Sequence, residues 1–337
     1  MSESKKIIAI VGATGTQGSS VARTFLALPN WKVRCLTRNP SSENAQELAK
    51  LGSELVEADL DDKDSLHRAF TGAHAIFVNT DFWQPYRAAL ALGTDSLSSA
   101  RQGYEVEITH GKNAADVAAT IPTLERFIYS ALGPMKKASG GKYSMSYHWD
   151  TKADIVDYIE TQKPELAGKT SFIYLGAYIT NPFLYPRYEP DTDEFASVLP
   201  TKKQMRLPII DTARSTGLFV RALVEDEAPG MKLLAYDGYP SMEQIMTVWS
   251  NALGKEVKII EMSVEDMHGK MGIPLEVLGG PAFIDEFGYC AGLQNVVEPT
   301  QLKSCTQGPS FEKWLEGQDP MNLLGLKKSN KWDGLVQ

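Results

Sequence analysis

Three glycines at three-residue spacing, in Gly12-Ala13-Thr14-Gly15-Thr16-Gln17-Gly18, follow directly on the apolar run Ile7–Val11 and lead into a helical pattern from about Thr16 to Leu28. Such a turn lets the backbone approach another group without a Cβ clash. The helix after it offers unpaired N–H groups and the positive end of a dipole to anionic oxygens. That chemistry suits a pyrophosphate, and a dinucleotide is its natural occupant, held by Gly12, Thr14, Gly15, Thr16, Gln17 and Gly18. A glycine-rich connection in a flavodoxin-like or nucleotide-free α/β fold is the competing reading.

The end of the second strand speaks to the phosphate state. A site for NAD places a carboxylate about 20 residues beyond the glycines, to accept from the ribose hydroxyls. Here the residues are Thr37-Arg38-Asn39. Arg38 is suited to a 2′-phosphate through charge-assisted hydrogen bonds worth roughly 1.5–3 kcal/mol each, so NADP(H) is the expected form. A solvated turn arginine is the alternative. Asp59 and Leu60, after the third strand, border an adenine, or Asp59 caps the following helix.

Positioning these groups requires alternating strands and helices. The pattern predicts strands at Ile7–Val11, Lys32–Thr37, Glu54–Glu57, Ala75–Val78, Phe127–Ser130 and Ser171–Leu175. Helices are predicted at Thr16–Leu28, Ser42–Leu51, Asp61–Phe70, Arg101–Thr120 and Trp149–Glu160. Repeated βαβ units of this kind write a doubly wound parallel sheet. Phe82–Ala100 reads as a loop or short helix, and Gly133–Ser146, rich in Gly, Ser and Lys, as a mobile surface loop. Pro208–Val224 and Met231–Tyr236 read as a return to the sheet, with helices near Met242–Leu253 and Val264–Lys270 beyond it. The expected division is a dinucleotide-binding α/β domain over residues 1–176, completed by about 207–237, and a smaller C-terminal α/β lobe from 177–206 and 238–337.

The chain has 337 residues, 43% hydrophobic and 23% charged, which excludes disordered and collagen-like classes. Its net charge of -8 argues against nucleic acid or an anionic membrane as a direct partner. No apolar run approaches the ~20 residues needed to cross a bilayer. Met1–Lys6 is polar with no secretory signal pattern, so a cytoplasmic location is expected, or a nuclear one for a regulator. Cys35, Cys290 and Cys305 are too few and scattered for a disulfide framework, and Cys35 reads as a small buried hydrophobe. The histidines lack metal-ligand spacing, so no metal is expected.

Several motifs recur in one order: the Gly12–Gly18 turn, Thr37-Arg38-Asn39-Pro40, Asn79-Thr80-Asp81-Phe82-Trp83, Gly111-Lys112-Asn113-Ala114-Ala115-Asp116 and Phe127-Ile128-Tyr129-Ser130. Together they resemble the NmrA-like proteins, atypical members of the short-chain dehydrogenase/reductase superfamily, over roughly residues 5–235. The resemblance implies a Rossmann domain with a smaller C-terminal lobe and NADP(H) in the cleft. Some relatives are reductases, including isoflavone-reductase-like enzymes, and others are NADP-sensing regulators. It also implies cofactor contacts from Asn79, Thr80 and Asp81, and from Tyr178 and Asn181, although Gly176 stands where the family usually has proline.

The superfamily's catalytic pair is a Tyr and a Lys one helical turn apart. The matching positions here are His148 and Lys152, and related NmrA-like sequences also keep the lysine without the tyrosine. Lys152 is placed to bind the nicotinamide ribose, and His148 to donate a proton near neutrality. Their i,i+4 spacing sets both on one helix face. A solvated lysine and a partly exposed helix-start histidine are the bland alternatives. Tyr147 is a spare proton donor; Tyr143, Phe82 and Trp83 are set to line a substrate pocket, with plain packing as the competing reading. The expected function is an NADP(H)-dependent oxidoreductase acting on a small aromatic or terpenoid molecule. The rival is a non-enzymatic NADP(H) sensor that binds a regulatory protein. A homodimer is compatible with either.

Overall fold

In the first strand, Ile8 and Ile10 face one side and Ala9 and Val11 the other, and all four are buried. A strand buried on both faces needs a continuous apolar run rather than alternation, which is how Ile7–Val11 is written. The computed structural model describes residues 5–304 and 307–326; Cys305, the first four residues and the last eleven lie outside them.

The chain opens with β1 (Lys6–Ile10), α1 (Thr16–Leu26), β2 (Trp31–Thr37), α2 (Glu43–Lys50), β3 (Glu54–Glu57), α3 (Lys63–Phe70) and β4 (Ala75–Val78). Then come α4 (Trp83–Ala91), α5 (Ser96–Ala118), β5 (Arg126–Ala131), α6 (Met135–Ala138), α7 (Tyr147–Gln162), α8 (Pro164–Ala167) and β6 (Thr170–Leu175). After β7 (Ala177–Tyr178) follow β8 (Arg187–Glu189), β9 (Glu194–Leu199), β10 (Ile209–Ile210), α9 (Thr212–Arg221) and β11 (Lys232–Ala235). The last elements are α10 (Met242–Leu253), β12 (Val257–Glu261), α11 (Val264–Met271), α12 (Leu275–Phe287), β13 (Val296–Val297), α13 (Phe311–Glu316) and α14 (Pro320–Leu323).

The large sheet runs β13-β11-β6-β5-β4-β1-β2-β3, with every pair parallel. This is a Rossmann-like α/β sheet, as the alternation predicts. Its order reverses between β1 and β4, which opens a crevice at the carboxyl ends of those strands. One core packs α5 and α7 against Ala9, Ile76, Phe127 and Tyr129; the other packs α1 and α9 against Ile8, Ile10, Phe77 and Ile128. A second sheet, β12-β9-β8, joins residues 187–199 to residues 257–261, and β13 from the last hundred residues lies at the edge of the large sheet. No described helix is long and apolar enough to cross a membrane.

Three segments differ from the sequence reading. Phe82–Ala100 holds a short helix, one of the two readings of this segment, and beyond it the start of the long α5: the Asp81 carboxylate accepts from the amides of Trp83 and Gln84 to start α4, and Asp95 accepts from Ser98 to start α5. Its pattern is weak because α4 and the start of α5 pack on each other through Phe82, Tyr86 and Ala100, while the later part of α5 meets the sheet core through Ala114, Ala115 and Ala118. Gly133–Ser146 contains α6 and is tied at both ends. The Lys136 amide donates to Asp150, and Lys142 and Tyr143 reach Glu286 on α12. Pro208–Val224 contributes no strand to the large sheet. Ile209 and Ile210 pair with β7, and the rest forms α9, which lies against α1 where Gly217 donates its amide to Ser20 Oγ.

Candidate functional site

The turn after β1 closes by a hydrogen bond from the Gly15 amide to the Gly12 carbonyl, 3.0 Å. Gly12 has φ +72°, in the left-handed region that favours glycine. A Cβ at Gly18 would fall 2.2 Å from the Gly12 carbonyl oxygen, so α1 starts close under the turn only because Gly18 has no side chain. No side chain caps α1, and its first turn carries no acidic residue. Its amide dipoles therefore face the turn uncompensated. Gln17 is buried; its Nε2 donates to the Tyr178 hydroxyl at 2.6 Å, while its Oε1 has no partner among the described residues. Tyr178, 161 residues away in sequence, is thus brought to the glycine turn. Asn181 lies just beyond, where its Oδ1 accepts from the Phe183 amide.

Beside the turn, β2 ends at Thr37, whose Oγ1 accepts from the Asn39 amide. Arg38 is exposed and makes no hydrogen bond or ion pair among the described residues. Asn44 at the start of α2 donates to the Thr14 carbonyl and ties this corner to the glycine turn. Asp59 is not the cap of α3: Asp62 accepts from the amides of Asp64 and Ser65, and Asp59 Oδ1 accepts from the Asp61 amide in a tight turn. Asp62 wins because its carboxylate lies one residue before the helix, within reach of the free amides. The Leu60 carbonyl accepts from Asn113 on α5. His110, also on α5, lies 3.2 Å from Asp61, so that Asp59, Asp61 and His110 gather three metal-ligating side chains that no sequence spacing announced.

Past β4 the site runs inward. Asn79 carries the carbonyl that a Cβ at Gly12 would approach to 3.3 Å, and Thr80 is buried next to it. Thr80 Oγ1 donates to Glu107 Oε1 at 2.7 Å and, its single hydrogen spent, accepts from the Tyr129 hydroxyl at 3.1 Å. Lys152 Nζ lies 3.0 Å from the Thr80 carbonyl, 3.1 Å from Thr80 Oγ1 and 3.0 Å from Glu107 Oε1. All three ammonium hydrogens thus have partners. Glu107 is completely buried, and its Oε2 has no hydrogen bond among the described residues. Burial, and after it the Glu107 charge, raises the Tyr129 hydroxyl well above its usual pKa and keeps it a donor.

One turn before Lys152, His148 Nδ1 lies 2.5 Å from Glu276 Oε1 on α12. The same carboxyl accepts the backbone amides of Tyr147 and His148, each at 2.9 Å. Trp83 leans over the His148 ring with centroids 4.8 Å apart. Phe82 is fully buried beneath Trp83 and Tyr86, where it serves the packing between α4 and α5. Tyr147 stands edge-on to Tyr104, and its hydroxyl has no hydrogen bond among the described residues. Tyr143 points to α12, where it donates to Glu286 and packs edge-on to Phe283 and Phe287.

Glu107, Tyr129 and Glu276 were missed from sequence. Glu107 had a signal: on α5 it sits at i+4 from Gly103 and i−4 from Gly111, the only acid in a stripe of small buried residues. Glu276 stands 128 residues from His148 and had none.

The model of the NmrA-like family matches residues 4–310. An NmrA-like family domain-containing oxidoreductase of Aspergillus campestris is 28% identical over 285 residues, 81% of this chain and 80% of that protein. In structure, the chain is similar to NmrA, described as a negative transcriptional regulator in complex with NADP, with a TM-score of 0.64, 22% identity and coverage of 96% of this chain and 95% of that one. It is also similar to the leucoanthocyanidin reductase–NADPH complex of Vitis vinifera, with a TM-score of 0.66, 14% identity and coverage of 92% and 98%. At these identities the structural likenesses speak to the fold.

Proposed function

The chain belongs to the NmrA-like family, and from that premise we propose that it is an NADP(H)-dependent oxidoreductase acting at a carbonyl, imine or activated double bond of a small organic molecule. The observation that carries the reading is the uncapped start of α1, held close under the glycine turn because Gly18 has no Cβ. A pyrophosphate fits there: two successive phosphates accept from free amides, and the positive amide end of the helix favours their charge. The orphan Gln17 Oε1 is a further buried polar atom without a partner among the described residues. Arg38, at the end of β2 with no carboxylate to neutralise it, recognises the 2′-phosphate, and Asp59 and Leu60 border the adenine. Asn79, Thr80, Asp81, Tyr178 and Asn181 line the way to the nicotinamide.

When bound, the cofactor supplies or accepts hydride at its nicotinamide ring. The chain's own residues hold the reactants and handle the proton. Lys152 orients the nicotinamide ribose by exchanging one of its Thr80 contacts, and His148 exchanges the proton that accompanies hydride. Trp83 forms a flat apolar wall beside His148, suited to an aromatic or terpenoid substrate.

The test is cofactor binding followed by quenching of tryptophan emission. NADPH is expected to bind at far lower concentration than NADH, and Arg38→Ala to remove most of that difference, a loss of roughly tenfold to a hundredfold for one or two charge-assisted hydrogen bonds. Equal affinity for the two nucleotides overturns the reading of Arg38. The regulator reading rests on the full commitment of the Lys152 ammonium to Glu107 and Thr80. Tight NADPH binding without NADPH oxidation across a panel of quinones, enones and aldehydes would favour it.

A further inference from the structure

We propose that Glu276, on α12 of the C-terminal region, is the positioning residue that fixes the tautomer of His148 and turns its Nε2 to the cleft as the proton-exchanging atom. The inference rests on the oxidoreductase reading for its chemistry, and on the geometry alone for the tautomer.

Two backbone amides, Tyr147 and His148, already point at the Glu276 carboxyl, one to each oxygen. A group receiving two amide donors acts as an acceptor, so the third contact, at His148 Nδ1, is an Nδ1–H donating to Oε1. Nε2 is then the nitrogen left free. It has no hydrogen-bond partner among the described residues and is not sealed from solvent. The imidazole is packed on two sides, with the Trp83 and Phe82 ring centroids 4.8 and 5.9 Å from its own, and the two neighbouring amides hold the carboxylate in place. The carboxylate itself is 2% exposed, which protects the contact from competing water. α12 reaches the start of α7 because Gly279 has no side chain; a Cβ there would fall 2.3 Å from Ser146 Oγ.

Contacts link this dyad to the cofactor cleft. The Gly12 turn approaches Asn79, Thr80 holds Lys152, and Lys152 lies one turn beyond His148 on α7. In the reducing direction, a bound reduced nicotinamide would supply the hydride for the new C–H bond as the electron pair of the substrate double bond moves to its heteroatom or second carbon. That atom takes a proton from the Nε2–H of the doubly protonated ring. His148 is left neutral with its remaining proton on Nδ1, shared with an ionised Glu276, and regains the Nε2 proton from solvent. A carboxylate behind an imidazole holds the useful tautomer and orientation without itself changing protonation state, as in the serine hydrolase triad.

The experiment is an imidazole ¹⁵N spectrum of the full chain at a pH where His148 is neutral, for wild type and Glu276→Gln, each with and without NADP+. Wild type is expected to show a protonated Nδ1 and a bare Nε2, and Glu276→Gln to move toward the opposite tautomer. NADP+ is expected to shift the Nε2 resonance in wild type. A bare Nδ1 in wild type, an unchanged tautomer in Glu276→Gln, or no response of Nε2 to bound NADP+ each overturn the proposal. The amide variant keeps one acceptor oxygen for the start of α7 and turns an NH2 toward the other backbone amide, so amide exchange along the rest of α7 that matches wild type separates tautomer loss from unfolding. With 9,10-phenanthrenequinone as the probe, Glu276→Gln is expected to lower kcat about a hundredfold with KM for NADPH unchanged; an unaltered kcat overturns the positioning role. If NADP+ fails to bind at all, the oxidoreductase reading falls, while the tautomer result still decides the Glu276–His148 geometry.

Discussion

Replacing Lys152 should cost more as a loss of structure than as a loss of a cofactor contact. Glu107 is completely buried and Lys152 nearly so, at 0% and 12% side-chain exposure, with Nζ 3.0 Å from Oε1. Removing one partner of such a pair leaves an uncompensated charge in a low dielectric and costs about 3–5 kcal/mol. Lys152→Met keeps most of the length of the side chain and deletes the charge, so the full penalty falls on the Glu107 carboxylate. Glu107→Gln should cost less, because the ammonium is the partner with a route to solvent and keeps both Thr80 contacts. Combining the two should recover stability to within about 1 kcal/mol of wild type, since the neutral pair has no charge left to strand and the introduced amide oxygen still accepts from Thr80. Urea unfolding of the four proteins measures this; with a slope of about 3 kcal/mol/M, the single lysine variant should unfold about 1–1.7 M earlier. The four proteins also separate roles. If the double variant is stable yet binds NADPH weakly, Lys152 contacts the cofactor; if it binds normally, the lysine serves the scaffold. A Lys152→Met protein within about 0.5 kcal/mol of wild type would refute the reasoning, because it would mean that Glu107 carries no charge to strand.

Gly18→Ala places its Cβ 2.2 Å from the Gly12 carbonyl and should abolish measurable NADPH binding in a titration that wild type completes; retained affinity would remove the turn from the site. Gly217→Ala meets Ser20 O at 2.3 Å and Thr24 Oγ1 at 2.1 Å, and should lower stability by about 1–3 kcal/mol in thermal melts with cofactor affinity unchanged, since α9 packs on the far side of α1. Burial pushes the Asp150 carboxyl up to about 6. A folded-state value above the unfolded one means that the fold prefers the neutral acid, so stability should fall as pH rises from about 4 to 6 and stay lowered above that. Asp150→Asn should flatten this slope and still accept from the Lys136 amide; an unchanged slope in chemical denaturation across that range would show that the carboxyl is solvated.

What the sequence makes legible follows from the range of the interactions. The glycine turn, the parallel order of the first strands and the place of Arg38 just past β2 depend on residues close together in the chain, and there spacing translates directly into geometry. Cys35 is likewise readable, as the interior of an apolar strand; it is fully buried and its thiol pushed up to about 11. The errors arise where an element packs on something other than the sheet. α4 and the start of α5 hide their apolar contacts in each other, which blurs the period of Phe82–Ala100, and Gly133–Ser146 takes its order from α7 and α12. The same physics governs the site. A lone lysine or histidine in a helix carries no mark of its partner, and the partners here are a carboxylate 45 positions earlier for Lys152 and one 128 positions later for His148. Both partners are buried acids, which cost free energy to desolvate unless a donor meets them. A buried carboxylate on a small-residue helix face therefore implies a cation or amide cluster opposite it. Applied to α5, where Glu107 interrupts Gly103, Gly111 and Ala114, that rule requires a donor opposite Glu107 without saying which, and Lys152 supplies it; applied to α12 it requires Glu276 to find donors too, and the opened first turn of α7 is the one that supplies them.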